Sequence, residues 1–594
     1  MKNYFSKFLY FYQYVGNRVI IQTFLNIMVG LLDGFGLAMF LPLLQMVNSE
    51  KTASKDEMGN LKFIVDLAHK FNLELTLSVT LIFLIAFFIL KGIATYYKER
   101  YNVRLRQYFI RRLRMDLLND LSTISFKRFV GMDVGKVQNT LNGEVERFSI
   151  AYNFYFETVQ NMILVAVYIS FAFFIDAKFA LLISIGGLLS NFIFKTIYSK
   201  TEEASNRLTK NNHDFQGLVT QLVTYFKYLL ATSGMKQYVE KLKNTVLLLE
   251  ENNKRIGALN SILLGTREPI LICIVSLVIF VQVDVLGGTL ASILISLLFF
   301  YRALAAVSSV QNAHNVYLGN LGSVDNMIEF TDEIKKYKEV NGNIQFKGLK
   351  NELKLENASF GYSNERMILQ DINLQIQKNE TVAFVGESGS GKTTLVNILT
   401  GLFPLSTGGF FIDEYERQEY DIHSYQLKIG YITQEAVIFN DTLFNNVTFW
   451  ADKTPENIIK FETALKKAVI FQFMKDLPDK DNEMLGNNGI NLSGGQKQRI
   501  SIARELYKEV EILVLDEATS ALDSETEQNI QQNIDSLKGH CTILIIAHRL
   551  STIKNVDKVV LVDKGRILGI DSFSSLQLTS AKFQKMIDLQ ELDK

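Results

Sequence analysis

Apolar and polar residues alternate along this chain in two rhythms, and the change between them divides it. Up to residue 310 the apolar stretches are long: 19–47, 75–97, 156–175, 179–198, 265–283 and 288–310 each suffice to cross ~30 Å of hydrocarbon at ~1.5 Å per residue. They predict six membrane-spanning helices. A polar stretch, 331–348, follows, and beyond it short apolar runs at 353–359, 381–385, 512–515 and 542–547 alternate with helical patterns. That alternation predicts an α/β domain of layered strands and helices. The boundary is expected near Tyr337, giving a membrane domain, 1–336, and a second domain, 337–594.

The charges between the spans orient them. The connection after the second span carries Arg100, Arg104, Arg111, Arg128 and Lys136, and that after the fourth carries Lys200, Arg207, Lys241 and Arg255. Basic residues stay on the cytoplasmic side, so these connections, both termini and the second domain are expected there. The turns 176–178 and 284–287 are almost free of basic residues, and the segment 48–72 mixes both signs, so these face outward. Leu113, Leu117, Leu118 and Leu121 share a helical face, which predicts that the spans continue into the cytosol as helices able to dock on a soluble motor.

Composition agrees with a membrane portion: 48% of residues are hydrophobic and the mean hydropathy is +0.11 despite 21% charged residues. Lys and Arg number 62, as do Asp and Glu, so no global charge argues for a nucleic-acid partner. Cys273 and Cys541 supply neither a disulfide framework nor a metal cluster, and both read as buried small residues. The aromatic, basic stretch 1–18 lacks the short apolar core and small-residue cleavage site of a removable signal peptide.

Chemistry concentrates in the second domain. Gly386-Glu387-Ser388-Gly389-Ser390-Gly391-Lys392-Thr393-Thr394 follows an apolar strand and opens a helical run, the context a phosphate-binding loop requires. Its glycines let backbone N–H groups wrap phosphates at a helix N-terminus, Lys392 reaches the terminal phosphates, and Thr393 can bind Mg²⁺. The apolar run 512–515 ends in Asp516-Glu517, delivering one carboxylate for Mg²⁺ and one to activate the attacking water. Leu492-Ser493-Gly494-Gly495-Gln496 opens another helix, with Ser493 as its expected N-cap.

With the phosphate loop, the Leu-Ser-Gly-Gly-Gln signature and the Asp-Glu strand in this order, the second domain resembles the ATP-binding cassette family over its whole length. The resemblance implies ATP and Mg²⁺ as cofactors and ATP hydrolysis as the activity, and assigns further roles. Tyr362 looks like the aromatic that stacks on adenine, and Gln434 like the glutamine that senses Mg²⁺ and the γ-phosphate. Ser520-Ala521-Leu522-Asp523 looks like the dimer-contact loop and His548 like the switch histidine. Glu517 and His548 are then the catalytic pair, with Thr393, Gln434 and Asp516 as metal ligands. In this family the signature of one subunit closes over the phosphate loop of another. One copy of each motif therefore implies two chains, and intact motifs favour a homodimer. Gly486-Asn487-Asn488-Gly489 departs from the Glu- and Arg-containing segment that many family members use to contact the membrane domain.

The membrane half resembles exporters with six helices per chain, the type I exporter (type IV) fold. These carry short cytoplasmic coupling helices, expected here near 125–132 and 217–228. Gly34-Phe35-Gly36, Leu41-Pro42, the external segment 62–71 and Tyr301-Arg302 look most like bacterial flippases of lipids and lipid-linked oligosaccharides in the inner membrane. Drug or peptide export is the alternative within the fold. Lys91, Arg267 and Arg302 lie roughly 16 residues from the outer ends of their spans, at ~24 Å depth. They can receive an anionic headgroup, or instead snorkel toward the cytoplasmic interface or pair with Asp33 and Glu268. Phe63, Leu67 and Phe71 opposite Lys62, Asp66 and Lys70 suggest an interfacial helix.

Overall fold

The computed structural model describes residues 2–40, 42–43, 76–175, 177, 181, 185, 192–281, 284, 290–363, 366–516, 524–547 and 553–592. The chain separates into two compact units, 1–124 with 132–338 and 125–131 with 339–594. The expected spans 19–47 and 179–198 are described only in part, and the external segment 62–71 lies outside the described residues.

The first unit is helical. Its main helices are α1 (Lys2–Val15), α2 (Arg18–Ala38), α3 (Leu77–Ser122), α4 (Phe126–Val130, grouped with the second unit), α5 (Val134–Asn139), α6 (Val145–Ile175), α7 (Lys195–Thr224), α8 (Phe226–Ala231), α9 (Met235–Phe280), α10 (Leu290–Gly319) and α11 (Leu321–Lys336). Helices α3 and α9 have 46 residues each, or about 69 Å at ~1.5 Å per residue, so they outrun the hydrocarbon as the leucine spacing predicts. Only 11% and 17% of their most apolar windows are buried within the chain. Apolar faces left uncovered over such lengths belong in lipid.

Glycines let α2 approach its neighbours. A Cβ on Gly34 would sit 2.3 Å from the Phe171 ring of α6, and one on Gly30 would sit 2.9 Å from Leu164. Small residues permit this close helix packing in membranes. Farther toward the Arg18 end, Phe11 of α1 packs among Phe109, Phe148 and Tyr155, while Phe109 and Tyr152 stack at 4.1 Å. A π-helical turn, Thr140–Glu144, interrupts the path from α5 to α6. There the buried Glu144 side chain accepts from Asn139, Arg147 and Ser323, which ties the turn to α11.

Two sequence expectations shift. Gly217 lies within α7, which continues to Thr224, and the short helix follows at Phe226–Ala231. A Cβ on Gly135 would lie 2.5 Å from the Gly217 Cα, so the two glycines permit a close helix crossing. Cys541 is buried as expected, but Cys273 of α9 is exposed, on a helix only 17% of whose most apolar window is buried within the chain.

The second unit holds two sheets. Strands β1 (Glu352–Ser363), β2 (Arg366–Gln377), β4 (Thr407–Ile412) and β5 (Tyr415–Glu416) form an antiparallel sheet in the order β2-β1-β4-β5. The other sheet has the order β10-β9-β3-β8-β7-β6, from β3 (Thr381–Val385), β6 (Ile429–Ile432), β7 (Ile512–Asp516), β8 (Thr542–Ile546), β9 (Lys558–Asp563) and β10 (Arg566–Asp571). Its strands are parallel except for the β9–β10 pair. Successive side chains of β3 face opposite cores: Val382 and Phe384 join Leu395 and Val396, whereas Ala383 and Val385 join Leu443 and Ile500. Burial on both faces explains the uninterrupted apolar run. Five helices complete what is needed for the site: α12 (Lys392–Leu399), α13 (Leu443–Thr448), α14 (Pro455–Lys467), α15 (Gly494–Tyr507) and α16 (Ala581–Leu592).

Candidate nucleotide site

A parallel sheet collects loops at the C-terminal ends of its strands, and the candidate residues gather there. The phosphate loop follows β3, Gln434 lies just past β6, and Asp516 closes β7. Gly386, Gly389 and Gly391 adopt φ of +152°, +78° and +107°. A Cβ on Gly386 would stand 2.1 Å from the Val562 carbonyl oxygen, so glycine is required where the loop leaves the strand. Gly391 caps α12, whose first N–H groups open into the loop.

The side chains of this loop complete an anion cradle. Lys392 is buried and its Nζ donates to the carbonyls of Gly386 at 2.8 Å and Glu387 at 2.9 Å, both within the loop. The buried Ser390 hydroxyl has no hydrogen-bond partner among the described residues. Positive-φ glycines, an orphaned hydroxyl, a helix N-terminus and a curled ammonium fit the phosphates of a nucleotide. Glu387, Ser388 and Thr393 are exposed and Thr394 half-buried, so the loop presents them to solvent. Lys582 of α16 bridges Asp563 at 2.7 Å and Glu387 at 3.3 Å, tying the loop to the end of β9.

Tyr431, on β6, was not singled out by the sequence. Its hydroxyl donates to Asn397 Oδ1 at 3.2 Å, and its phenol is pushed up by burial and then by the charge of Asp516 and a hydrogen bond to it. It therefore helps fix the carboxylate at the end of β7. The apolar run Ile429–Ile432 before Gln434 was the available signal. Glu517, the dimer-contact loop 520–523 with Asp523, and His548 lie outside the described residues.

Tyr362 stands near the end of β1, 49% exposed, edge-on to Phe360 at 5.3 Å and to Phe403 at 5.5 Å. An exposed ring braced from behind can stack on a base. Phe126 of α4 stacks on the same Phe403 at 5.4 Å, and Lys127 lies 5.0 Å from the Phe360 ring. The expected coupling helix thus shares an aromatic cluster with Tyr362.

The signature stands apart from the loop, at the start of α15, which packs on α13, α14 and β6. Ser493 is the N-cap: Gln496 N donates to Ser493 Oγ at 3.2 Å, and Ser493 N donates to Gln496 Oε1 at 2.8 Å. This capping box holds the exposed Gly494 and neighbouring Gly495 at a helix N-terminus. Asn487–Gly489 just before it forms a 3₁₀ turn.

In the membrane unit, Lys91 donates to Asp33 at 2.5 Å, and the Tyr168 hydroxyl donates to the other oxygen of Asp33. Arg302 acts electrostatically on the same Tyr168. Arg267 donates to the Ser308 carbonyl at 2.9 Å, and its buried Nε has no partner among the described residues. The sequence offered Asp33 as a partner for the basic residues, and Lys91 is the one that takes it.

Comparison with known proteins agrees with both halves. Residues 369–520 match the family model described as ABC transporter, and residues 19–308 match the ABC transporter transmembrane region. The chain is 29% identical over 484 residues to the Heterocyst differentiation ATP-binding protein HepA of Nostoc sp., covering 81% of this chain and 79% of that protein. It is likewise 29% identical over 515 residues to the ATP-dependent lipid A-core flippase of Hahella chejuensis, covering 83% of this chain and 85% of the flippase. A solved structure of a bacterial Atm1-family ABC exporter with ATP bound shares the fold, with a TM-score of 0.75 at 22% identity over 97% of this chain and 98% of that one. The chain belongs to the ABC transporter family: it is an exporter-type integral membrane protein that carries the transmembrane region and the ATP-hydrolysing domain in one polypeptide.

Proposed function

We propose that the protein works as a homodimeric flippase of the bacterial inner membrane, using ATP to move an anionic lipid or lipid-linked oligosaccharide outward from the cytoplasmic leaflet. The observation that carries the lipid reading is the set of basic side chains inside the spans, with Lys91 held by the buried Asp33 and Arg267 bearing an Nε that no described residue meets. A headgroup phosphate supplies the further negative charge such a set calls for. Among the relatives, the protein of Hahella chejuensis is named a lipid A-core flippase, which supports the same substrate class.

In the ATPase domain, Lys392 and the loop N–H groups hold the phosphates, Tyr362 stacks on adenine, and Thr393, Gln434 and Asp516 hold Mg²⁺. The bound ion neutralises charge on the phosphates. Glu517 takes the proton of the attacking water, His548 orients that water, and Asp523 contacts the partner chain. The signature residues Ser493, Gly494, Gly495 and Gln496 close over the partner's phosphate loop, so that clamping and release drive the helices.

The test is purified protein in liposomes. Lipid-linked sugars should stimulate hydrolysis and a labelled lipid should change leaflet with ATP, while Glu517→Gln keeps ATP binding and loses turnover. Stimulation by hydrophobic drugs alone rejects the lipid reading in favour of a drug exporter.

A further inference from the structure

Apart from the phosphate loop and the Lys91 cluster, a cavity of about 320 Å³ opens between the Arg18 end of α2, the middle of α3 and the first half of α6. Its lining includes three polar side chains that are more than nine-tenths buried: Asn26 is 0% exposed, Tyr152 3% and Gln22 6%. Gln22 Oε1, Asn26 Oδ1, the Tyr152 hydroxyl and Asn102 Oδ1 have no hydrogen-bond partner among the described residues. The orientations of the Asn26 and Asn102 amides are fixed by what their nitrogens do. Asn26 Nδ2 donates to the Gln160 carbonyl at 2.7 Å, and Asn102 Nδ2 to Glu99 Oε2 at 3.4 Å. Sequence spacing gathers them, since Gln22 and Asn26 lie one turn apart on α2, and Glu99 and Asn102 one turn apart on α3.

The sign of the missing partner follows. Three of the orphaned atoms are pure acceptors and the fourth is a phenol, and a buried acceptor without a donor opposes folding. An anion would add repulsion to the three amide oxygens. Of the basic groups of the wall, Lys98 pairs with Glu99 at 2.9 Å, and Arg106 donates its Nε to the neutral Ser149 at 3.2 Å and keeps its charge. Glu157 lines the same cavity, within electrostatic reach of Glu99 and Lys98.

We propose that this cavity binds a monovalent cation, an alkali ion or a primary ammonium, held by the oxygens of Gln22, Asn26, Asn102 and Tyr152. Glu99 and Glu157 offset Lys98 and Arg106, so the ligands are neutral amide and phenol oxygens, which suit a weakly hydrated single positive charge, and the volume admits the ion with part of its hydration. The site is separate from the nucleotide loop and does not depend on the identity of the transported molecule.

The test measures thermal unfolding of the full chain in nanodiscs of neutral lipid, without nucleotide or transport substrate, at constant ionic strength. Sodium, potassium or ethanolammonium chloride replaces N-methylglucamine chloride. The midpoint should rise saturably with at least one of the three. A rise with sodium or potassium identifies an alkali ion, and a rise with ethanolammonium alone identifies an amine. Asn26→Leu should raise the half-saturating concentration about tenfold or more, and Gln22→Glu should lower it about tenfold by adding a negative ligand. Gln22→Glu keeps the test decisive if Asn26→Leu does not fold. Equal midpoints in all four salts, or a half-saturation unmoved by Gln22→Glu, overturns the proposal and leaves the cavity to water.

Discussion

Replacing Asp33 by Asn should destabilise the membrane unit out of proportion to the one atom changed. Asp33 is 2% exposed and accepts from both Lys91 and Tyr168. Removing one partner of a buried ion pair costs about 3–5 kcal/mol, because the other charge stays desolvated. The Lys91 side chain is 25% exposed but lies within a span, where that exposure is not to water, so the loss should be at least about 3 kcal/mol. Replacing both members, Asp33→Leu with Lys91→Met, removes the stranded charge. That double variant should match or exceed the wild type, since apolar substitutes for buried pairs are often neutral or stabilising by about 1–4 kcal/mol. The assay ranks unfolding midpoints in nanodiscs of Asp33→Asn and of the four proteins of the cycle, the wild type, Asp33→Leu, Lys91→Met and the double variant. The reasoning fails if Asp33→Asn unfolds within a degree of the wild type, or if the double variant is no more stable than the single one.

Gly386→Ala should weaken binding of a fluorescent ATP analogue at least about tenfold, because its Cβ would meet the Val562 carbonyl oxygen at 2.1 Å and positive-φ strain adds about 1–3 kcal/mol; wild-type affinity would refute this. Ser493→Ala should cost about 1 kcal/mol through loss of the N-cap, with Ser493→Thr close to wild type, read as faster amide exchange in the first turn of α15. Burial pushes the Cys541 thiol up to about 11, so it should resist maleimide at pH 8 in the folded protein. With the folded value above the unfolded one, its contribution to stability is present below the ordinary thiol pKa of about 9 and is lost as pH rises toward 11. Unfolding midpoints of wild type and Cys541→Ala should therefore converge or cross in that window rather than run parallel.

What could be read from the sequence divides by how local the causes are. The β3 run, the glycine-rich loop and the Ser493 cap follow from neighbours within a few positions, through two-face burial, positive φ and capping geometry, and each stands where the spacing put it. Asp33 as a partner for Lys91 was also within reach, because two opposite charges inside apolar spans have few other options. The coupling helix expected near 217–228 begins only at Phe226, because α7 runs on through Gly217, where it crosses Gly135, and a crossing between separate helices leaves no mark in either local pattern. Tyr431 escaped notice for a similar reason: its role comes from Asp516, which the parallel pairing of β6 with β7 brings alongside. The oxygen-lined cavity is the extreme case. Gln22, Asn102 and Tyr152 sit on three helices, and each alone reads as a polar residue near the end of a span. Only their convergence shows that their oxygens lack donors. A motif scan finds chemistry that evolution keeps contiguous, whereas a site built from isolated amides and a phenol is visible only as unmet hydrogen-bonding demand in three dimensions.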